Sequence, residues 1–354
     1  MHPDGAGVEV LDQVVTFGEI MMRLSTPDHR RFEQATSYEA SFAGAEANVA
    51  ISLAAFGVPV QFVSRLPDND LGIACLKFLR QQGVTVDHVV RTGERLGLFF
   101  LEAGAAQRGS KVIYDRSRSA FATIDPGMID WAMVFSGADW FHFTGITPAV
   151  AEGPAEAVAE ATQVAGDLGL TVSCDLNYRA KLWDWGRAAS EVMPELVSRC
   201  DVAIGNEEDA EMVFGIVAPE VDIQRGRVDA SKYVVVCERL VERFPNLRTV
   251  AITLRGSLSA SHNTWSALLW HEGVVYFAPT YDIVPIVDRV GGGDAFAAGL
   301  IYGLGVAGRG PQWALDFAVA ASCLKHSIWG DANLVAVAEV EGLARGNASG
   351  RVVR

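Results

Sequence analysis

Short apolar runs alternate with amphipathic helical patterns along most of the chain, and this alternation restricts the fold more than any other feature. The predicted strands are Val14–Phe17, Val60–Val63, Trp140–Thr144, Thr171–Cys174, Val202–Ile204, Val250–Thr253 and Ala267–Trp270. Helix candidates lie between them, and alternating strands and helices imply a mostly parallel sheet with helices on both faces. Ligands of such sheets bind beyond the carboxyl ends of the strands.

Apolar residues at helical spacing indicate three helices and their ends. The first ends at Gly57 and has on one face Ala47, Ala50, Ile51, Ala54 and Ala55. The second ends before Gly83 and has on one face Leu71, Cys75, Phe78 and Leu79. Pro311 begins the third, which continues through Leu324.

One region interrupts the alternation and is predicted to form a flap. Leu96–Leu101 and Lys111–Tyr114 have the character of two strands, and the loop AGAAQRGS joins them without a helix. Together with the segment Met21–Thr36 they could form a small sheet beside the main domain. Such a flap can cover a substrate and exclude water, whereas the alternative is an ordinary surface hairpin.

The charge balance and the cysteines exclude several classes of protein. With a formal net charge of −14, the chain lacks the basic surface that a nucleic-acid binder needs. The five cysteines never form a CxxC pair, so we predict buried thiols rather than disulfides or a zinc site. The acidic start does not have the character of a signal peptide, and no apolar run is long enough to span a membrane, so we expect a cytoplasmic protein.

The stretch DRVGGGDAFAAG, residues 288–299, carries the strongest chemical signal. Three glycines expose backbone N–H groups ahead of a helix-forming segment from Ala295 to Tyr302, and such groups bind anions. Asp294, beside this anion site, suits a base that takes a proton from a hydroxyl attacking phosphorus. The alternative makes Asp294 a helix N-cap and the glycines a simple turn.

Further polar residues lie in three places: at the start of a helix, on the flap, and directly after a predicted strand. Asn48 begins a helix, where it can bond a hydroxyl or cap the helix itself. Arg116 on the flap offers a rigid guanidinium fork suited to a carboxylate. Arg179 lies in the polar stretch CDLNYR, where an arginine is more often in a structural ion pair than a ligand contact. Two arginines facing one site would favour an acidic substrate.

Two clusters after strands have the character of metal and phosphate sites. The acidic run GNEED, residues 205–209, either interacts with the helix dipole or forms part of a Mg²⁺ site, since Mg²⁺ takes oxygen ligands and needs few carboxylates. Arg255 and the backbone of Gly256 follow another strand and could steady nucleotide phosphates.

Taken together, these stretches resemble the ribokinase-like (PfkB) carbohydrate kinases. The resemblance runs from about residue 14 to residue 345 and depends on AGAEANVAISLAAFG near the start and DRVGGGDAFAAG near the end. Within that family the chain looks most like the 2-keto-3-deoxygluconate kinases. The supporting stretches are TFGEIMMRLSTP, SKVIYDRS, CDLNYRAKLW, GNEEDAEMVFG and LKHSIWGDAN.

The resemblance implies a three-layer α/β sandwich with a small β-sheet lid, in one domain spanning 14–345 with lid segments near 21–36 and 96–116. It also implies ATP- and Mg²⁺-dependent phosphorylation of the terminal hydroxyl of a sugar acid. Asp294 would be the base, and the implied anion hole consists of the N–H groups of Gly291, Gly292 and Gly293. The implied sugar-acid contacts are Gly44, Asn48, Phe99, Tyr114, Arg116 and Arg179. The implied nucleotide contacts are Asn206, Arg255, Gly256, Gly291, Gly293, Lys325 and Asn333, with Asn206 and Asp209 acting on Mg²⁺ indirectly.

The sequence departs from the family pattern at a few positions. Phe99 stands where the sugar-acid kinases carry a tyrosine, so one hydroxyl contact to the sugar is missing. Asp209 replaces a glutamate, Arg289 replaces a common threonine, and GGGD replaces the usual GAGD. The change from GAGD to GGGD puts a glycine at the second position, which keeps the loop residues small and their N–H groups bare. We therefore expect the chemistry to persist.

Three other functions remain as alternatives to a sugar-acid kinase. A fructokinase or another sugar kinase of the same fold would use a neutral acceptor instead of an acid. A dinucleotide-binding oxidoreductase needs G-x-G-x-x-G after an early strand, and here Phe296 occupies the third glycine position of a late loop. A non-catalytic sugar or nucleotide sensor could keep the fold. For partners, we expect small molecules and a homodimer or higher homo-oligomer, with neither nucleic acid nor membrane.

Overall fold

The computed structural model describes residues 11–206, 208–218, 230–305 and 309–347. The strands are β1 (Val14–Phe17), β2 (Met21–Ser25), β3 (Glu39–Ala43), β4 (Val60–Val63), β5 (Arg65–Leu66), β6 (Val90–Arg91), β7 (Leu98–Glu102), β8 (Lys111–Asp115), β9 (Trp140–Thr144), β10 (Thr171–Asp175), β11 (Val202–Asn206), β12 (Thr249–Ser259), β13 (His262–His271), β14 (Val274–Phe277) and β15 (Tyr281–Ile283). The α-helices are α1 (Ala45–Ala55), α2 (Asp70–Gln81), α3 (Trp131–Val134), α4 (Ile146–Val150), α5 (Glu152–Leu168), α6 (Ala189–Val197), α7 (Asp209–Phe214), α8 (Val234–Arg243), α9 (Gly292–Gly305), α10 (Pro311–Lys325) and α11 (Val337–Ala344). Short 3-10 helices lie at Phe32–Gln34, Phe121–Thr123 and Ala230–Tyr233. Among these residues, no helix is both long and apolar enough to cross a bilayer.

The main sheet is mostly parallel, as predicted. Its strand order is β14-β13-β12-β11-β10-β9-β1-β4, and β15 pairs with β13. Strands β4, β1, β9, β10, β11 and β12 run parallel to one another, while β13, β14 and β15 add antiparallel pairs. Every predicted strand of this sheet is present. The β12–β13 hairpin is much longer than its predicted segments.

Helices cover both faces of this sheet, so the fold has three layers. Neighbouring residues of a strand point to opposite faces. Accordingly, Val14 and Trp140 belong to one apolar core, and Val15 and Phe141 belong to the other. Helices α1, α2, α9 and α10 contribute to the first core, and α5, α6 and α8 contribute to the second. The predicted three-layer sandwich is therefore confirmed.

A second sheet of four strands, here called the lid sheet, has the order β3-β2-β7-β8. Strands β7 and β8 form the predicted antiparallel hairpin, and β2 pairs parallel to β7. Strand β3 is not predictable from the sequence, because its residues are mostly exposed and provide no apolar run. Strand β8 is exposed along its whole length.

The tip of the lid sheet contacts the main sheet. The N–H of Ala260 donates to the carbonyl of Ala106 at 2.7 Å. The N–H of Ala106 donates to the Ser261 hydroxyl at 3.3 Å. Ala260 and Ser261 form the turn between β12 and β13, so the β7–β8 hairpin is attached at its tip to the long hairpin of the main sheet.

Three helix predictions differ from the structure. Ala55 was placed on the apolar face of α1 but is exposed. Leu71 was placed on the apolar face of α2 but is 45% exposed. It lies in the first turn, where its N–H and that of Gly72 donate to the Asn69 cap. Helix α9 begins at Gly292 rather than at Ala295, because the N–H of Ala295 already donates to the Gly291 carbonyl at 2.9 Å. Asp294 therefore lies inside the first turn of α9.

Candidate active site

The carboxyl ends of four parallel strands supply polar side chains at one edge of the main sheet. The strand register places Thr144 of β9 opposite Asp175 of β10, and Asn206 of β11 opposite Thr253 of β12. The stretches that the sequence analysis selected after β10 and β11 therefore lie side by side. This is the edge at which ligands of parallel sheets bind.

Asp294 faces Asn48, which lies on α1. The Asn48 amide donates from Nδ2 to Asp294 Oδ2 at 2.7 Å, so a neighbouring helix holds the carboxylate and the N-cap interpretation is wrong. Burial raises the pKa of Asp294 to about 7. The charges of Asp331 and Glu46 also raise it, while the Asn48 hydrogen bond and Arg179 lower it. A carboxylate with this pKa can accept a proton near neutral pH.

The glycine turn before α9 presents backbone N–H groups. Gly291 has φ +82°, and a Cβ there would stand 2.0 Å from the carbonyl oxygen of Asp331, so both conformation and space require glycine. The N–H of Gly292 donates to the Arg289 carbonyl at 3.4 Å, which closes the turn. The first N–H groups of a helix have no partner inside it, which leaves those of Gly293 and Asp294 for an anion. The expected set of three glycine donors is thus corrected at Gly292.

Two adjoining cavities meet at Asp294. The lining of the first includes Asp175, Asn206, Asp209, Thr253, Arg255, Trp265, Arg289 and Gly293. The lining of the second includes Glu19, Gly44, Glu46, Asn48, Phe99, Tyr114 and Arg116. Asn177, Arg179 and Asp294 line both cavities. A proton acceptor at this junction stands between two ligand sites.

Three arginines line the first cavity without an ion pair to a carboxylate of the described residues: Arg179, Arg255 and Arg289. Arg289 donates from Nη2 to the carbonyls of Ser259 and Ala260 at 3.0 and 2.9 Å. Burial lowers the pKa of Arg289, and the charge of Arg255 lowers it further. Cations that face one cavity without a protein counter-ion attract a small anion.

Asn206 and Asp209 hold each other at the start of α7. The N–H of Asn206 donates to Asp209 Oδ2 at 2.9 Å, and the N–H of Asp209 donates to Asn206 Oδ1 at 3.1 Å. The N–H of Tyr178 donates to Asp209 Oδ1 at 3.1 Å. Glu207, another acid of the predicted cluster, lies outside the described residues.

The same cavity has oxygen donors of the kind that Mg²⁺ prefers. The side chains of Asp175, Asn206 and Asp209 all line it. Burial raises the pKa of Asp175 well above its usual value, and the charges of Asp209 and Asp294 raise it further. In the part of the chain that the structure describes, no three His, Cys, Asp or Glu side chains form a metal cluster. The donor set nevertheless fits Mg²⁺, which needs only one or two carboxylates beside phosphates and water.

The second cavity lies between the lid sheet and the start of α1. A Cβ on Gly44 would stand 2.0 Å from the carbonyl oxygen of Glu19, so only glycine fits this close approach. Phe99 packs on Tyr114 with ring centroids 5.9 Å apart. Asn48 Oδ1 is buried and has no hydrogen-bond partner among the described residues, so it is an acceptor left for a ligand hydroxyl.

Arg116 lines this cavity in an ion pair that the sequence analysis missed. Its Nε donates to Glu19 Oε2 at 2.7 Å, and Nη2 makes a second short contact with the same oxygen. The Ser119 hydroxyl donates to Glu19 Oε1 at 2.6 Å. Glu19 had no sequence signal because its partners follow it by about a hundred residues. Arg179 is not paired in this way, and its Nη1 donates to the carbonyl of Tyr178 at 2.9 Å.

The sequence model of the pfkB family of carbohydrate kinases matches residues 11–332. The chain belongs to the PfkB family. Kinases of this family transfer a phosphoryl group to an alcohol, so this PfkB chain is a sugar kinase, and the family resemblance stated from the motifs is confirmed.

Two relatives and one solved structure illustrate the similarity within the PfkB family. The 2-dehydro-3-deoxygalactonokinase of Haloferax volcanii is 36% identical over 96% of this chain and 98% of that protein. The 2-dehydro-3-deoxygluconokinase of Thermoproteus tenax is 29% identical over 91% of each chain. The crystal structure of 2-dehydro-3-deoxygluconokinase from Thermotoga maritima has a TM-score of 0.88 and 45% identity, covering 94% of this chain and 99% of that one.

Four residues expected at the nucleotide site of this PfkB kinase line neither of the two cavities: Gly256, Gly291, Lys325 and Asn333. Gly256 is buried in β12 opposite Thr264. Lys325 is fully buried, and its Nζ donates to the carbonyls of Asp288 and Ile328, each at 3.3 Å. Asn333 is 1% exposed. The motifs predict that these residues lie near the nucleotide site, but they do not predict which side chains face a cavity.

Proposed function

We propose that this PfkB kinase transfers the γ-phosphoryl group of ATP to the terminal primary hydroxyl of a keto-deoxy sugar acid, converting 2-keto-3-deoxygluconate to its 6-phosphate. The observation that carries the proposal is the position of Asp294 where an arginine-lined cavity meets a cavity beneath the lid sheet. The Thermotoga maritima and Thermoproteus tenax relatives are named for this sugar acid, and the Haloferax volcanii relative is named for its galactonate epimer.

In the proposed reaction, Asp294 takes the proton of the sugar hydroxyl while the hydroxyl oxygen bonds to the γ-phosphorus. The bond from that phosphorus to the β-phosphate oxygen breaks, and ADP leaves. The N–H groups of Gly293 and Asp294 stabilise charge on the phosphoryl group as it is transferred. Such transfers depend mainly on positioning and on charge stabilisation, which the three arginines of the first cavity also provide.

A bound Mg²⁺ would supply positive charge to the nucleotide phosphates. Asn206 and Asp209 would reach it through water, because backbone N–H groups already occupy their side-chain oxygens. Asp175 lines the same cavity and is a further carboxylate, besides Asp294, that could support this site.

The sugar acid is proposed to occupy the second cavity. Its carboxylate end would be held by Arg179 and by Arg116 Nη1, which has no hydrogen bond to the described part of the chain. Asn48 Oδ1 would accept a bond from one of its hydroxyls. Gly44 lets the backbone approach the sugar, while the Phe99–Tyr114 pair covers it from the lid sheet. We further propose one kinase domain over 14–345, a cytoplasmic location and a homo-oligomer.

A comparison of acceptors tests this function. ADP release from ATP and Mg²⁺ would be measured in parallel with 2-keto-3-deoxygluconate, its galactonate epimer, fructose and ribose. Turnover with a keto-deoxy acid alone supports the proposal. Turnover with fructose or ribose would keep the kinase but remove the carboxylate role of the arginines. Binding of a sugar without turnover would indicate a sensor.

We expect Arg179→Gln to raise the KM for the sugar acid by about 10- to 100-fold, because a charged hydrogen bond to the carboxylate is lost. Arg116→Gln should have a similar or smaller effect, since Glu19 already uses part of the guanidinium. Steady-state kinetics at saturating ATP measure both values. Arg65, which donates to Thr92 at 2.9 Å and lines neither cavity, provides the control Arg65→Gln. An unchanged KM in Arg179→Gln would contradict carboxylate binding by this residue.

The pH dependence of kcat/KM gives an independent check. Since burial raises the pKa of Asp294 to about 7, kcat/KM should fall as the pH decreases through about 7, by about tenfold per pH unit below it. In Asn48→Leu the carboxylate loses the hydrogen bond that lowers its pKa, so the acid limb should move to higher pH. An acid limb near the ordinary pKa of about 3.9 would show that Asp294 does not control the reaction.

A further inference from the structure

Arg23 lies on β2 of the lid sheet and is almost completely buried. It is 1% exposed, which is unusual for arginine because the guanidinium must be fully paired inside the protein. Strand β2 lies between β3 and β7, and Arg23 is in register with Ser41 and Phe99. Its Nε donates to the Ser25 hydroxyl at 2.7 Å, which fixes one edge of the guanidinium.

The two terminal nitrogens of Arg23 form ion pairs with two carboxylates outside the lid sheet. Nη2 contacts Asp288 Oδ2 at 2.6 Å, and Nη1 contacts Asp331 Oδ1 at a shorter distance. Both carboxylate side chains are at most 5% exposed. One lid side chain therefore joins two segments that are 43 positions apart in the chain, from 288 to 331.

Both carboxylates belong to the structure that shapes the glycine turn. Asp288 Oδ1 accepts from the N–H of Val290 at 3.0 Å, and Asp288 Oδ2 accepts from the N–H of Gly330 at 3.2 Å. The carbonyl of Asp331 is the group against which Gly291 packs. Arg23 thus contacts the turn from its beginning, through Asp288, and from its outer side, through Asp331.

The charges of this cluster balance only when Arg23 is present. Lys325 is also buried here, and its Nζ donates to the carbonyl of Asp288 at 3.3 Å. Two carboxylates and two cations are therefore enclosed together next to Asp294. Removal of one partner from a buried ion pair leaves an uncompensated charge, and the surrounding backbone must move or admit water.

We propose that Arg23 is a positioning residue that ties the lid sheet to the glycine turn, so that the N–H groups of Gly293 and Asp294 are held toward the transferred phosphoryl group. The role of the turn in this statement rests on the proposed function, whereas the mechanical link between lid and turn does not. Arg23 lines neither of the two cavities and contacts the turn through Asp288 and Asp331.

Two measurements on Arg23→Met and Arg23→Lys test this link. Hydrogen exchange followed by mass spectrometry reports the turn directly, and it needs no acceptor sugar. In Arg23→Met, exchange should increase at least tenfold in peptides covering 288–296 and 328–333, while β10 keeps its protection. The kcat should fall about 100-fold, the loss typical of a displaced oxyanion donor, with KM values changed less than about threefold. Arg23→Lys keeps the charge without the fork and should recover part of both.

Arg108→Met is the matched control. Arg108 belongs to the lid segment and pairs with the buried Glu102 at 2.8 Å, but it contacts neither Asp288 nor Asp331. Its loss should leave exchange at 288–296 and kcat close to those of the unmodified protein. Unchanged exchange at the turn in folded Arg23→Met and Arg23→Lys would overturn the proposal, as would faster exchange throughout the molecule in both. Should Arg23→Met fail to fold, Arg23→Lys decides alone. Absence of sugar turnover in the unmodified protein would count against the proposed function only.

Discussion

Asp294→Asn is expected to bind both ligands with nearly unchanged affinity and to lose about 10²- to 10⁴-fold in kcat, the usual contribution of a general base. The amide is close in size to the carboxylate and cannot accept the hydroxyl proton. The measurement is kcat at saturating sugar acid and ATP, together with Kd values from calorimetry. Near-normal turnover in this variant would remove Asp294 from the base role.

The same substitution should also stabilise the fold at alkaline pH, which separates it from a folding defect. The pKa of Asp294 is about 7 in the folded state, whereas that of an ordinary aspartate is about 3.9. The free energy of unfolding therefore decreases as the pH rises from about 3.9 to about 7, since only the unfolded state ionises readily in this range. At about 1.4 kcal/mol per pKa unit, the cost above pH 7 is on the order of 4 kcal/mol. Asp294→Asn removes this cost, so its Tm should exceed that of the unmodified protein at pH 8, and the gap should close near pH 4. Equal Tm values at pH 8 would contradict the raised pKa.

Gly291→Ala is expected to impair both stability and catalysis. The residue has φ +82°, where a Cβ costs about 1–2 kcal/mol, and the new methyl group would also stand 2.0 Å from the Asp331 carbonyl. The backbone at Gly291 or at Asp331 must therefore move, and the N–H groups of Gly293 and Asp294 no longer point toward the phosphoryl group. We expect a lower Tm and a loss of about 100-fold or more in kcat, as for removal of an oxyanion donor.

Gly293→Ala provides the comparison for this prediction. No atom lies within 4 Å of a Cβ at Gly293, and its φ is not in the left-handed region, so its Tm should stay close to that of the unmodified protein. Its methyl group would point into open space at the first cavity, so any loss should appear in kcat or in the KM for ATP. A normal Tm in Gly291→Ala would show that the turn yields more easily than its contacts indicate.

The sequence predicts the main sheet well because each of its strands is an apolar run between helical patterns. The lid hairpin is also predictable, since Leu98–Glu102 and Lys111–Asp115 follow one another without a helix. Strand β3 is not, because it forms mainly by backbone pairing with β2 and buries little apolar surface. A strand of this kind shows no regular alternation of apolar and polar residues that would predict it.

Motifs predict which residues lie at the site, but they do not predict the partners that set their properties. The raised pKa of Asp294 comes from burial and from charges that are distant in the chain. The pairing of Arg116 with Glu19 and of Arg23 with Asp288 and Asp331 likewise joins segments about 100 and 300 residues apart. For Lys325 the motif predicts the wrong surroundings. Its ammonium group donates to backbone carbonyls instead of facing a cavity.

The attachment of the lid tip sets the fraction of ligand-free molecules in which the tip is detached. Two hydrogen bonds hold Ala106 to the β12–β13 turn. At a net value of about 1 kcal/mol each, detaching the tip costs about 2 kcal/mol. Roughly 3% of molecules would then have a detached tip at any moment, a minor state of the size that ligands readily shift. A sugar that binds only to the detached form would have an apparent Kd raised about 30-fold, because only that fraction of molecules can bind it.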